Sequence, residues 1–121
     1  MIAKFYMMDT HAVGKVRGIE PGLLINRNHR GWHVDYKTMV METDPEGADL
    51  FIFQCCCQAP IFAAMKQAQR RGIACIFEID DDWFSVPHIF TKNGTDQAQP
   101  QSLEIMKQFL ENTDLVTCAT R

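Results

Sequence analysis

At 121 residues, 46% of them hydrophobic and 22% charged, the chain has the size and composition of one globular domain. Twelve basic against fifteen acidic side chains leave a net charge of −3, which argues against a nucleic-acid surface or an anionic-membrane surface. No apolar run approaches the roughly 20 residues needed to span a bilayer. Met1-Ile2-Ala3-Lys4-Phe5 lacks the charged and apolar regions of a signal peptide, so the expected location is the cytoplasm.

In chain order, Ile2 to Met8 is an apolar, β-prone run and reads as a first strand. Asp9 to Gly18 is polar, with Gly14 and Gly18 flanking Lys15 and Arg17, and reads as a loop entering a helix over much of Ile19 to Arg30. Pro21 suits the first turn of that helix and Gly31 its end. His33 to Val40, with Val34, Tyr36 and Met39 alternating, predicts a second strand, and Asp44, Pro45 and Gly47 a turn. Leu50 to Phe53 is a buried third strand. Pro60 opens a helix with Ile61, Phe62, Met65 and Ala68 at helical spacing, closed near Arg71 by Gly72.

The fourth strand is the centre of the chain. Ala74 to Ile79 runs without a break into Asp80, Asp81 and Asp82, followed by Trp83, Phe84 and Pro87. Three adjacent carboxylates at a strand end need a compensating cation, a metal ion or backbone donors. Ser85 to Pro100 is polar and reads as a loop. Gln101 to Asn112 is a helix with Leu103, Met106, Phe109 and Leu110 on one face, and Leu115 to Ala119 is a fifth strand.

Strand–helix alternation predicts an α/β fold: a doubly wound, mainly parallel sheet of about five strands with helices on both faces, residues 1–121 forming one domain. The connection between the second and third strands is shorter than the roughly dozen residues of a parallel crossover. Either the second strand ends before Val40 or that pair is antiparallel.

Parallel strands would gather their carboxyl ends on one edge, where such sheets hold ligands. That edge would collect residues Asp9 to Gly18, Gln54 to Gln58, Asp80 to Trp83 and Thr120-Arg121. Gly14-Lys15-Val16-Arg17-Gly18 can present backbone N–H groups and two cations to an anion at a helix start, though it is neither a Walker A sequence nor G-x-G-x-x-G. Its plain alternative is a glycine-containing turn whose Arg17 neutralises the acidic triplet. Of the four histidines only His11 lies beside the crevice, as a candidate general base against the plainer role of a solvated loop residue.

The triplet itself has three readings. Asp80 and Asp82 can ligate Mg²⁺ or Mn²⁺, with substrate phosphates completing the shell. They can accept hydrogen bonds from ligand hydroxyl or cationic groups. Asp80 or Asp81 can instead cap local backbone while Trp83 and Phe84 fold back on the sheet.

Five cysteines, three of them consecutive at Cys55, Cys56 and Cys57, suit neither a disulfide framework nor a zinc pattern. They read as small buried or half-buried thiols. Their place before a helix start leaves a reactive thiolate as the alternative.

Asp49-Leu-Phe-Ile-Phe-Gln54, the helix ending in Arg70-Arg71-Gly72, and Ile76-Phe77-Glu78-Ile79-Asp80-Asp81-Asp82-Trp83-Phe84 occur in a familiar order, completed by Asp114-Leu-Val-Thr-Cys-Ala-Thr120. Together they resemble the N-terminal, Rossmann-like half of GT-B-type glycosyltransferases, particularly bacterial and phage members related to group 1. The match covers roughly residues 49 to 121 and is most specific at the acidic motif, E-x-D-D-x-[W/L/F]. Arg17-Gly18-Ile19-Glu20-Pro21 also looks like the family's arginine-containing loop after strand one, and Ala119 departs from it where Ser is common.

The resemblance implies an acceptor-binding half that faces a second half holding the nucleotide-sugar donor, with transfer in the cleft between them and no bound metal. Gly14, Arg17, Gly18, Asp80, Asp81 and Asp82 would line that cleft, with Arg17 steadying the donor's diphosphate or the acidic triplet. These residues would then be either part of a longer polypeptide or a lone domain, and sugar transfer by them alone is not expected. One rival is a GT-A-type transferase using Asp80 and Asp82 for Mg²⁺ or Mn²⁺. The other is a non-catalytic Rossmann-like binding or assembly domain.

Overall fold

The structure is a computed structural model describing residues 1–7, 14–37, 45–80, 82–84 and 100–118. Five strands form one sheet: β1 (Ile2–Met7), β2 (His33–Lys37), β3 (Leu50–Gln54), β4 (Ala74–Ile79) and β5 (Leu115–Cys118). Their order is β2-β1-β3-β4-β5 and every neighbouring pair is parallel. The expected Rossmann-like α/β class is therefore present.

The order also settles the short connection. β2 and β3 are not neighbours; each pairs with β1, on opposite sides. β2 ends at Lys37, earlier than the expected Val40, which leaves positions 38–49 for a crossover. Met8, Met39, Val40, Asp44 and Ala119 lie outside the described residues.

Side-chain alternation along the strands makes two different sheet faces. On one, Tyr6, Phe51, Phe53, Cys75 and Phe77 pack beneath two helices, α2 (Ala59–Arg70) and α3 (Pro100–Asn112), which contribute Ile61, Met65, Ala68, Met106 and Phe109. Phe77 stacks on Phe109 with ring centroids 5.0 Å apart, and Tyr6 stacks on Phe53 at 5.2 Å. Such aromatic pairs add about 0.5–1.5 kcal/mol each to the burial of their area. Polar ties hold the helices in place: Gln69 Nε2 donates to the Asn112 carbonyl at 2.6 Å, joining α2 to α3. Asp114 accepts from the Cys75 N–H at 2.7 Å and donates its own N–H to the Cys75 carbonyl, which docks the start of β5 against β4.

The other face carries Ala3, Phe5, Met7 and Val34, with Ile19, Ile25, Tyr36, Leu50 and Ile52 packed around them. Its helix, α1 (Glu20–Asn28), starts with Pro21 in the first turn as expected. The preceding stretch Lys15–Ile19 is not the expected loop. It is a π-helical segment continuous with α1. Close approach to the sheet accounts for its glycine: a Cβ on Gly18 would sit 2.9 Å from Phe5 Cε1 and 3.2 Å from Met7 Sδ. A Cβ on Gly22 would overlap the Tyr36 hydroxyl, which donates to the Ile19 carbonyl at 3.0 Å. Asn26 fixes the far end of α1 by accepting from the Val34 N–H and donating to its carbonyl. No helix among the described residues is long and apolar enough to cross a membrane.

Candidate functional site

In a parallel sheet of order 2-1-3-4-5 the chain reverses its direction of travel between β1 and β3, and ligands of such folds sit at the carboxyl ends beside that point. Here β1 ends at Met7, paired with Gln54 at the end of β3, and Gln54 in turn faces Glu78 near the end of β4. Met7, Gln54 and Glu78 thus form one cross-strand row on the α1 face. Gln54 and Glu78 are the only buried polar or charged side chains among the described residues, 2% and 7% exposed.

Arg17 reaches this row from the π-helical segment. Its Nε donates to Glu78 Oε1 at 2.6 Å, and its terminal amino group contacts the same oxygen. The Gly18 contact sets the reach, because a side chain there would hold the segment off β1 and carry Arg17 away from the strand ends. The Glu78 hydrogen bond pushes the Arg17 guanidinium above its ordinary value; the Coulombic pull of Asp80 adds a smaller share. Charge-assisted pairing of this kind gives a buried carboxylate the partner it requires.

Cys55 follows Gln54 and is also buried. Its backbone has φ of 47°, the left-handed region that non-glycine residues seldom occupy, and its N–H donates to the Glu78 carbonyl at 2.9 Å. Its thiol donates to Asp80 Oδ1 at 3.0 Å. Burial, and then the Asp80 hydrogen bond, push the Cys55 thiol far up; burial, with a smaller share from neighbouring Cys57, takes Cys56 up to about 12. The alternative of a reactive thiolate is corrected for these two residues, since a protonated, enclosed thiol is a poor nucleophile. All five cysteines are free, with Cys57 half-buried and Cys118 exposed. Small buried or half-buried thiols describe the triplet Cys55 to Cys57.

The site residues expected from sequence divide as follows. Arg17 and Gly18 come to the carboxyl edge on helical backbone, Gly14 precedes that segment in the same helical conformation, and Lys15 pairs with Glu20 at 4.0 Å on the surface. Arg17 takes Glu78 as its partner, with Asp80 near enough to be felt. Asp80 accepts from Cys55, and Asp82 is exposed. Trp83 packs against the α2/α3 core as expected, whereas Phe84 remains 46% exposed rather than folding back. His11, Asp81 and His88 lie outside the described residues, as do residues 85–99 and 119–121. Among the described residues, no three His, Cys, Asp or Glu side chains gather as a metal-ligand set.

Two residues escaped the sequence reading as site members. Gln54 entered it as the first residue of an edge segment and the last of a family-like strand, and Glu78 as part of a strand and of the acidic motif, neither as a site residue. Their signal was a polar residue at the carboxyl end of each of two otherwise apolar neighbouring strands. Comparison with models of protein families, with curated proteins and with solved structures finds no match.

Proposed function

We propose that this domain is the acceptor-side half of a GT-B-type glycosyltransferase, which moves a sugar from a nucleotide-sugar donor to an acceptor held in a cleft between two Rossmann-like halves. The observation that carries the reading is the Arg17–Glu78 ion pair at the carboxyl edge, built next to the switch point between β1 and β3. Glu78 is the first residue of Glu78-Ile79-Asp80-Asp81-Asp82-Trp83, the stretch that resembles the family's acidic motif. On this reading Gly14, Arg17, Gly18, Asp80, Asp81 and Asp82 line one wall of the cleft. With its charge committed to Glu78, Arg17 orders that wall, and the donor's diphosphate is left to the other half. A cytoplasmic location goes with this reading, since nucleotide sugars are cytoplasmic donors for this enzyme class.

The test is isothermal titration of the complete polypeptide encoded by the reading frame through Arg121, against uridine, guanosine and adenosine diphosphate sugars, with and without Mg²⁺. The expected result is metal-independent binding of at least one of them within the enzyme KM range of about 1 μM–1 mM. Binding that requires Mg²⁺ would replace this reading with the metal-dependent one on Asp80 and Asp82. No binding to any of them would sink it.

A further inference from the structure

Two buried polar atoms on neighbouring strands have no hydrogen-bond partner among the described residues: Gln54 Nε2 and Glu78 Oε2. The two residues face each other in the β3–β4 register, so their side chains leave the sheet on one face and at one level. One free atom is a donor. The other, on a carboxylate, is an acceptor. A buried polar atom left unsatisfied costs about 1–3 kcal/mol, so the two are a standing cost unless they turn to each other or a third group completes both. Both Arg17 contacts fall on Oε1, which leaves Oε2 of the same carboxylate unmatched.

A single hydroxyl group has the chemistry to complete both. Its oxygen accepts from Gln54 Nε2, and its proton is donated to Glu78 Oε2. The charges on this edge select further. Among the described residues Arg17 stands against Glu78, Asp80 and Asp82, one cation to three carboxylates. A phosphate would meet net negative charge, so the fitting ligand is neutral and rich in hydroxyls. An independent observation supports a ligand here. Cys55, adjacent to Gln54, is held at φ 47° with its N–H on the Glu78 carbonyl, and strain of this kind collects at functional sites.

We infer that Gln54 and Glu78 are the hydroxyl-recognising pair of a subsite for a neutral polyol. The identification of that polyol as an acceptor sugar rests on the glycosyltransferase reading; the subsite itself does not. The experiment follows the side-chain amide resonances of Gln54 in ¹⁵N-labelled protein. Methyl α-glucoside, methyl α-mannoside and methyl β-galactoside are titrated in turn, and inorganic pyrophosphate separately.

The expected result is a saturable shift of the Gln54 amide with at least one glycoside and none with pyrophosphate. Gln54→Met should weaken that glycoside at least about tenfold, read on the Asp80 backbone amide. The wild-type titration decides the matter even where the variant folds poorly. No response to any glycoside, a pyrophosphate shift of the Gln54 amide, or unchanged glycoside affinity in the variant overturns the inference. If nucleotide sugars fail to bind while the glycoside response persists, the transferase reading falls and the subsite stands; the opposite pattern removes the subsite alone.

Discussion

The two faces of this sheet are built on opposite terms. Under α2 and α3 the contact is aromatic and aliphatic, with Phe51, Phe53, Phe77, Phe109 and Met65 fully enclosed. Under α1 and the π-helical segment the enclosed apolar set is smaller, Ala3, Phe5, Met7 and Val34, and the buried row ends in Gln54 and Glu78. Burial of apolar area is the main favourable term in folding, so the first face holds the sheet together. The second forgoes part of that gain by enclosing an ion pair together with the unmatched Gln54 Nε2 and Glu78 Oε2, where the first leaves Nε1 of the half-buried Trp83 unmatched. A chain that needed only to fold would have placed apolar residues at positions 54 and 78, since well-packed hydrophobic groups commonly match or exceed a buried ion pair in stability. The difference between the faces separates what makes the fold from what the fold presents.

Substitutions that strike one face and spare the other sharpen this division. The largest effect is expected from Phe77→Ala, which removes the ring stacked on Phe109: a loss of about 3–5 kcal/mol in urea denaturation, with the Arg17–Glu78 pair left intact. Arg17→Met comes next. It strands the Glu78 carboxylate, and the cost should be about 2 kcal/mol at neutral pH, below the 3–5 kcal/mol of fully buried pairs because the Arg17 side chain is 32% exposed. A loss as large as that of Phe77→Ala would erase the distinction between the faces.

A smaller effect belongs to Cys56, which lies in the α2/α3 core. Burial raises this thiol from 9.0 to about 12, so the folded state keeps the proton that the unfolded chain gives up. Its stabilising contribution is complete below the unfolded value and drains away as pH rises toward 12. Between pH 9 and 10 the loss should be about 1 kcal/mol. Comparing denaturation curves of the wild type and Cys56→Ala over that interval checks it: the variant should lose correspondingly less.

Much of the fold was legible because strand and helix signals here are local. Pro21 and Pro60 mark helix starts, and Gly31 and Gly72, at φ of 88° and 77°, follow helix ends. Strand order is not local. Nothing between Lys37 and Leu50 announces that β2 and β3 flank β1, so the short link between them looked anomalous until the pairing was known. The π-helical segment was hidden for a related reason. Gly14 and Gly18 favour a loop when read alone, and only the nearness of Phe5 and Met7 gives Gly18 its packing role. Of the site, the acidic run was visible as a run of like charges. Glu78, two residues earlier, was masked by the apolar strand that contains it, and its partner Arg17 lies 61 positions away.

A change of similar size bears most directly on the claim that the α1 face keeps unmatched polar groups for a ligand rather than for itself. It is the unfolding free energy of Gln54→Met in urea, measured without ligand. Replacing the unmatched amide by an apolar side chain of similar length should raise stability by about 1 kcal/mol. A fall of that size would mean that the Gln54 amide is already satisfied in the unliganded protein, and the account of this face would be contradicted.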